Sequence, residues 1–152
     1  MCWHGILKNR KIATEDLKCY KIVSKFNYEP FFRPYFRCND SPMIYEVGKT
    51  YYGKICPEKV AGGANLIAIH EGIHCYDLSV HIFHRDKYEV YRDKYEVNYL
   101  LPCGIFLKLG TFSSRTDCKA VLMECTIPKG TLYYMNDKGE IVTEKLIINK
   151  VV

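Results

Sequence analysis

Thirteen tyrosines and seven phenylalanines among 152 residues constrain this chain more than any motif in it. Flat rings pack well on a pleated, half-buried surface, so this composition favours strands. Alanine and leucine, the strongest helix formers, are correspondingly scarce. The length is near that of one ordinary domain and is enough to bury a core. The expectation is a strand-rich α+β fold, with residues 1–152 as one globular domain. Most of it should be antiparallel sheet, with one or two short helices.

Local patterns place the elements. Residues 1–17 read as a short lead-in, with Thr14 suited to cap one helical turn at Glu15 and Asp16. Tyr20, Ile22 and Phe26 recur in steps of two and predict a strand over 19–26. Pro30, Pro34 and Pro42 exclude residues 28–43 from a central strand or helix interior, which leaves an ordered loop rich in rings. Residues 44–52 read as a strand interrupted at Gly48, and residues 66–69 as a short buried run between Gly62-Gly63 and His70. Asp77 suits the cap of a helix beginning at Leu78. The hexad Arg85-Asp86-Lys87-Tyr88-Glu89-Val90 recurs at a period of seven as Arg92-Asp93-Lys94-Tyr95-Glu96-Val97. It reads as a local duplication that lengthens one helix or hairpin. Further strands are expected over 105–109, 120–126, 131–134 and 146–151. Turns at 128–130 and 136–139 should join the later ones, the second as a hairpin.

Charge and cysteine usage narrow the function. The net charge of +5 is mildly basic, compatible with an anionic ligand without demanding one. No basic flank followed by a long apolar run opens the chain, and no stretch is long and apolar enough to span a bilayer. A cytoplasmic protein without membrane contact is therefore expected. There the eight scattered cysteines, with no CxxC pair, read as small buried apolar residues.

One motif matches a known chemistry. His70-Glu71-Gly72-Ile73-His74 fits H-E-x-x-H, which on a helix sets two imidazoles on one face as zinc ligands. The intervening Glu71 would serve as general base on a zinc-bound water. Gly72 weakens such a helix by about 1 kcal/mol relative to Ala, and Cys75 follows the second His where this is atypical. The usual third-ligand position holds Val80, with His81 one place off; Glu89 or Glu96 fit only a looser pattern, and His81 and His84 enlarge the histidine cluster toward an adventitious metal site. The plain alternative is a strand over 69–76 with a kink at Gly72. A zinc hydrolase using His70, Glu71 and His74 is thus the alternative to a domain with no cofactor and no catalysis.

Elsewhere, Tyr28, Phe31, Phe32, Arg33, Tyr35, Phe36 and Arg37 interleave rings with guanidiniums, a composition suited to stacking bases and holding phosphates. The blander reading buries the rings and solvates the arginines. No phosphate-binding glycine-rich loop or nucleophile elbow is present, so a nucleotide-handling transferase has no diagnostic motif, and nucleic acid is a less favoured partner.

Three stretches carry a resemblance. The opening is Met1-Cys2-Trp3-His4-Gly5, with Ile12-Ala13-Thr14-Glu15-Asp16-Leu17 after it. The centre is Tyr45-Glu46-Val47-Gly48-Lys49-Thr50-Tyr51, followed by Glu71-Gly72-Ile73-His74-Cys75-Tyr76. The close is Glu124-Cys125-Thr126-Ile127-Pro128-Lys129-Gly130-Thr131-Leu132-Tyr133-Tyr134, with Gly139-Glu140-Ile141-Val142. Together they resemble a group of small uncharacterised proteins of Bacteroides-type gut bacteria and their phages. The central motif is also similar to a G-[IF]-H domain attached to pentapeptide repeats. The resemblance implies a compact α+β domain and carries no activity. It needs Glu71 to Tyr76 without His70, which makes the H-E-x-x-H match accidental. The resulting expectation is a non-enzymatic binding or interaction domain, of phage or mobile-element type, for a protein partner or a small anion such as a nucleotide. Its pocket is expected near Gly72, His74 and Tyr76, with Arg33 and Arg37 supplying charge.

Overall fold

The structure is a computed structural model that describes residues 3–34, 44–62, 65–77, 97–100, 106–109 and 118–152. Among them are fourteen strands and one 3-10 turn, Leu7–Asn9. The α+β expectation is corrected: the described fold is almost wholly antiparallel β-sheet. One expected helical feature, the turn capped by Thr14, is absent for an identifiable reason. Residues 14 and 15 form a bend, and the Asp16 carboxylate accepts from the Lys129 backbone N–H at 2.9 Å. It therefore ties down the turn at 128–130 instead of serving a helix. The supposed lead-in is itself sheet, with strands β1 (Trp3–Ile6) and β2 (Arg10–Ile12). The expected helix after Asp77 and the seven-residue repeat up to Glu96 lie outside the described residues.

Two long strands organise the large sheet. β3 (Leu17–Phe26) pairs along its whole length with β11 (Cys118–Ile127). The far edge of each is shared. On β3, β8 (Ile73–Tyr76) bonds at Tyr20 and β4 (Arg33–Pro34) at Val23 and Ser24. Pro34 fits there because a two-residue edge strand asks little of its missing N–H. On β11, β10 (Phe106–Leu109) meets Ala120, and β14 (Lys145–Val151) pairs from Met123 to Thr126. β9 (Val97–Leu100) extends the sheet beyond β10, and β5 (Thr50–Tyr52) lies outside β14. Beyond β8 come β13 (Glu140–Thr143), β12 (Leu132–Met135) and β2. The β12–β13 hairpin turns where expected. Asn136 Oδ1 accepts from the N–H groups of Lys138 and Glu140 at 3.1 and 3.0 Å.

This sheet curls back on itself. β13 and β14 are four ladder steps apart through β8, β3 and β11, about 19 Å on a flat sheet. Yet Glu144 alone joins them in sequence, and two successive peptide units reach only ~7 Å. The other closure is at β5, whose following residue Gly53 lies against Gly72 at the start of β8. A Cβ built on Gly53 would fall 3.1 Å from the Gly72 Cα. The barrel-like interior so formed is filled from six strands, with Cys19, Val23, Cys75, Met123, Cys125, Tyr133, Ile141, Leu146 and Ile148 among its buried residues.

Outside the barrel, β1, β7 (Leu66–Ile69) and β6 (Glu58–Lys59) form a three-stranded sheet. It packs Trp3, Ile67 and Ile69 with Tyr134 and Val142 on the reverse face of β12 and β13. Neighbours on a strand point to opposite faces. Tyr133 and Ile141 therefore fill the barrel, while Tyr134 and Val142 meet the small sheet. The Trp3 indole N–H donates to the Glu140 carbonyl at 2.8 Å, and its ring meets Tyr134 edge-on at 5.6 Å.

Candidate functional site

The H-E-x-x-H pentapeptide is not helical. β7 ends at Ile69, a turn takes Glu71 and Gly72, and β8 begins at Ile73. Gly72 has φ +111, outside the helical region, and any Cβ there would sit 2.6 Å from a Val142 methyl and 3.2 Å from Ile55 Cγ1. The two histidines consequently face different surroundings. His70 is exposed, with Nε2 3.9 Å from a Glu58 carboxylate oxygen. His74 is buried and holds the His70 carbonyl at 3.2 Å through Nε2. A carbonyl only accepts, so Nε2 carries the proton and Nδ1 is the acceptor. Burial lowers the His74 pKa to about 4, against the partial support of that hydrogen bond, with the Lys21 charge pushing the same way. The ring is neutral at pH 7. Glu71 is an exposed turn residue. Among the described residues, no group of three or more His, Cys, Asp or Glu side chains is arranged to hold a metal ion.

The other expected site residues fall on two strands flanking one edge of β3. His74 and Tyr76 lie on β8, and Tyr76 is buried opposite Tyr20. Arg33 lies on β4 opposite Ser24, and its guanidinium donates to both Glu29 carboxylate oxygens at 2.9 and 2.8 Å. That hydrogen-bonded pairing holds the Glu29 carboxyl below the usual range. Gly72 closes the barrel against Gly53 and lies in the packing beneath Val142. Arg37 lies outside the described residues.

Between these flanks sits a residue that sequence reasoning passed over. β8 leaves β3 after Tyr20 and β4 joins at Val23, so β3 is unpaired on this edge at Lys21 and Ile22 among the described residues. Lys21 turns inward with Cys19 and Val23 and is only 7% exposed. Its ammonium donates to the His74 carbonyl at 2.7 Å and lies 5.1 Å from the centre of the Tyr45 ring. Tyr45 packs edge-on against Tyr51, whose hydroxyl accepts from the Glu46 N–H at 2.6 Å. Among the described residues Lys21 is the one buried Lys, Arg, Asp or Glu, and none of their carboxylates pairs with it. A signal for it was present: Cys19 and Val23, two residues to either side, mark its face as buried. The set Tyr20, Ile22 and Phe26 drew attention to the opposite face.

Three thiols belong to the barrel core. Cys19 faces Cys125 directly across β3 and β11, and all three of Cys19, Cys75 and Cys125 are buried. Contact with Cys75 and burial raise the Cys19 pKa well above normal, and burial pushes Cys125 up to about 12. Cys19 and Cys125 are thereby protonated at neutral pH, and all three thiols serve as small apolar packing groups. Cys56 is exposed.

Geometry therefore defines a β-rich domain: a coiled antiparallel sheet with a buried cation where two strands part. No protein-family model, curated protein or solved structure matches the chain. No helix among the described residues is long and apolar enough to cross a membrane.

Proposed function

We propose that this chain is a non-enzymatic binding domain that takes a small anionic ligand where β8 and β4 part along β3, with Lys21 as the recognising cation. The observation that carries this reading is the Lys21 ammonium, buried with no carboxylate beside it among the described residues. Removing an ammonium from water costs several kcal/mol after relaxation. One carbonyl and one aromatic face offset part of that cost. An ammonium has three N–H donors, and His74 O takes one of them. An anion reaching the other two would supply the missing charge. The +5 net charge favours the approach of such a ligand. Binding is favoured over catalysis because Cys19 and Cys125 are protonated and the His74 ring is neutral with its N–H already committed.

Thermal unfolding with a panel of phosphate, ATP, acetate and benzoate, repeated on Lys21→Met, tests the reading. At least one anion should raise the wild-type midpoint, as a ligand at a hundred times its Kd stabilises by about 2.7 kcal/mol. Lys21→Met should keep or gain stability without ligand, since an apolar isostere often replaces a buried charge at no loss, and should lose the shift. A Lys21→Met protein that unfolds several degrees earlier would make Lys21 a strut between β3 and β8. A shift unchanged by the substitution, or none with any anion, would also refute the proposal.

A further inference from the structure

We propose that β2 is a docking edge that takes an acidic, extended segment of a partner protein as an added strand. β2 ends the large sheet: among the described residues β12 is its one strand neighbour, and all three of its own residues are exposed. Local pairing fixes which of its backbone groups face outward. Ala13 bonds toward β12, its N–H donating to the Thr131 carbonyl at 3.0 Å and its carbonyl accepting from the Gly130 N–H at 2.7 Å. The Leu132 carbonyl, opposite Ile12, turns the other way and accepts from the Glu144 N–H at 3.1 Å. Bonding in an antiparallel ladder alternates in this manner, so Lys11 bonds on the side of Ala13, while Arg10 and Ile12 direct their backbone groups outward. The Arg10 N–H closes the preceding turn on the Leu7 carbonyl. Among the described residues, the Ile12 N–H and the carbonyls of Arg10 and Ile12 remain for an incoming strand.

Charge selects the occupant. Lys8, Arg10 and Lys11 are close in sequence and all exposed, and among the described residues no carboxylate pairs with any of them. Like charges keep an edge strand from pairing with a second copy of itself. The same cations favour a strand that carries carboxylates opposite them. Lys11 lies on the face of Tyr133, whereas Arg10 and Ile12 lie on the face of Tyr134 and Leu132. Acidic residues therefore fit opposite Arg10 and Lys11, one on each face, and an apolar residue fits opposite Ile12, which is 48% exposed. Leu7, in the turn that leads into β2, is equally exposed and adds apolar surface. A phosphate-bearing partner suits the edge less well. The outward carbonyls need donors, which a peptide backbone supplies and phosphate oxygens do not.

Fluorescence anisotropy of the labelled, capped peptide Thr-Val-Glu-Glu-Thr-Glu-Thr on the intact chain tests the proposal. The controls are a counterpart bearing Lys for each Glu and a version with every amide N-methylated. The acidic peptide should bind, more weakly as salt rises, and both controls should bind at least about tenfold more weakly. Arg10→Glu with Lys11→Glu, shown folded by circular dichroism, should lose at least about tenfold in affinity for the acidic peptide and gain affinity for the Lys counterpart. Lys21→Met should leave the affinity for the peptide unchanged, which separates this edge from the proposed anion site. An N-methylated peptide that binds as well as its parent would reduce the edge to a charged patch and overturn the proposal without need of any variant. Loss of binding in Lys21→Met, tighter binding of phosphatidylserine vesicles than of the peptide, or no binding of the acidic peptide would each overturn it as well.

Discussion

The β12–β13 hairpin buries side chains on both of its faces, and the two burials differ in kind. Toward the three-stranded sheet lie Trp3, Ile55, Ile67, Ile69, Tyr134 and Val142, a packed set without thiol or charge. The ionisable neighbour on that side of β8, His74 opposite Val142, is held neutral. Toward the barrel interior lie three thiols and a charged lysine among the aliphatic side chains. Both faces exclude water, so both impose the same penalty on charge. The outer core meets it in the usual way, by carrying none. A buried charge is weak evidence for stability, and the inner core's retention of one is the feature on which the proposed anion site rests.

The strongest test of that division is Trp3→Ala. Trp3 is 1% exposed, and losing its ring should cost about 4 kcal/mol in urea unfolding. If the two cores are separable, amide exchange should accelerate along Leu66–Ile69 and stay slow along Leu17–Phe26. Uniform acceleration would show one cooperative core.

Gly72→Ala should follow at about 3 kcal/mol. It combines an unfavourable positive φ with overpacking against Val142 and Ile55. Gly62→Ala is the control, since Gly62 also has positive φ (+94) but a Cβ there meets nothing within 4 Å. Equal losses at the two positions would mean that the contact beneath Val142 contributes nothing.

The third test is pH. His74 has a folded pKa of about 4, below its ordinary 6.5. The unfolded chain thus binds the extra proton between these values, and stability rises with pH across that window. The contribution is complete above about pH 6.5 and lost as pH falls toward 4, for a total of about 3 kcal/mol. His74→Gln should flatten the urea midpoint between pH 6.5 and 5. Glu29 and Glu124, both held below their ordinary values, titrate beneath that interval. An unchanged slope in His74→Gln would mean that the buried imidazole does not set this pH response.

Much of the sheet was legible because its signals are local. Turn chemistry at 128–130 and 136–139 bracketed β12, steps of two marked β3, and a short apolar run marked β7. The same local reading left the first residues unassigned. Trp3–Ile6 gains its strand partner from Leu66–Ile69, some sixty positions away. It also set H-E-x-x-H against a kinked strand and kept the zinc reading only as the alternative. Gly72 was the informative residue there, since its φ of +111 ends β7 and lets β8 close on Gly53.

What the sequence determined by itself was the strand habit of the chain, its main turns and its mild positive charge. Each depends on neighbours a few positions apart. Tertiary structure alone decided that Lys21 faces inward, that His74 is neutral and that Gly72 sits where the sheet closes. Those outcomes depend on the curl of the sheet, and the curl depends on pairings such as Cys19 with Cys125. A strand's alternation says which residues share a face. Only its partners say which of the two faces turns away from water.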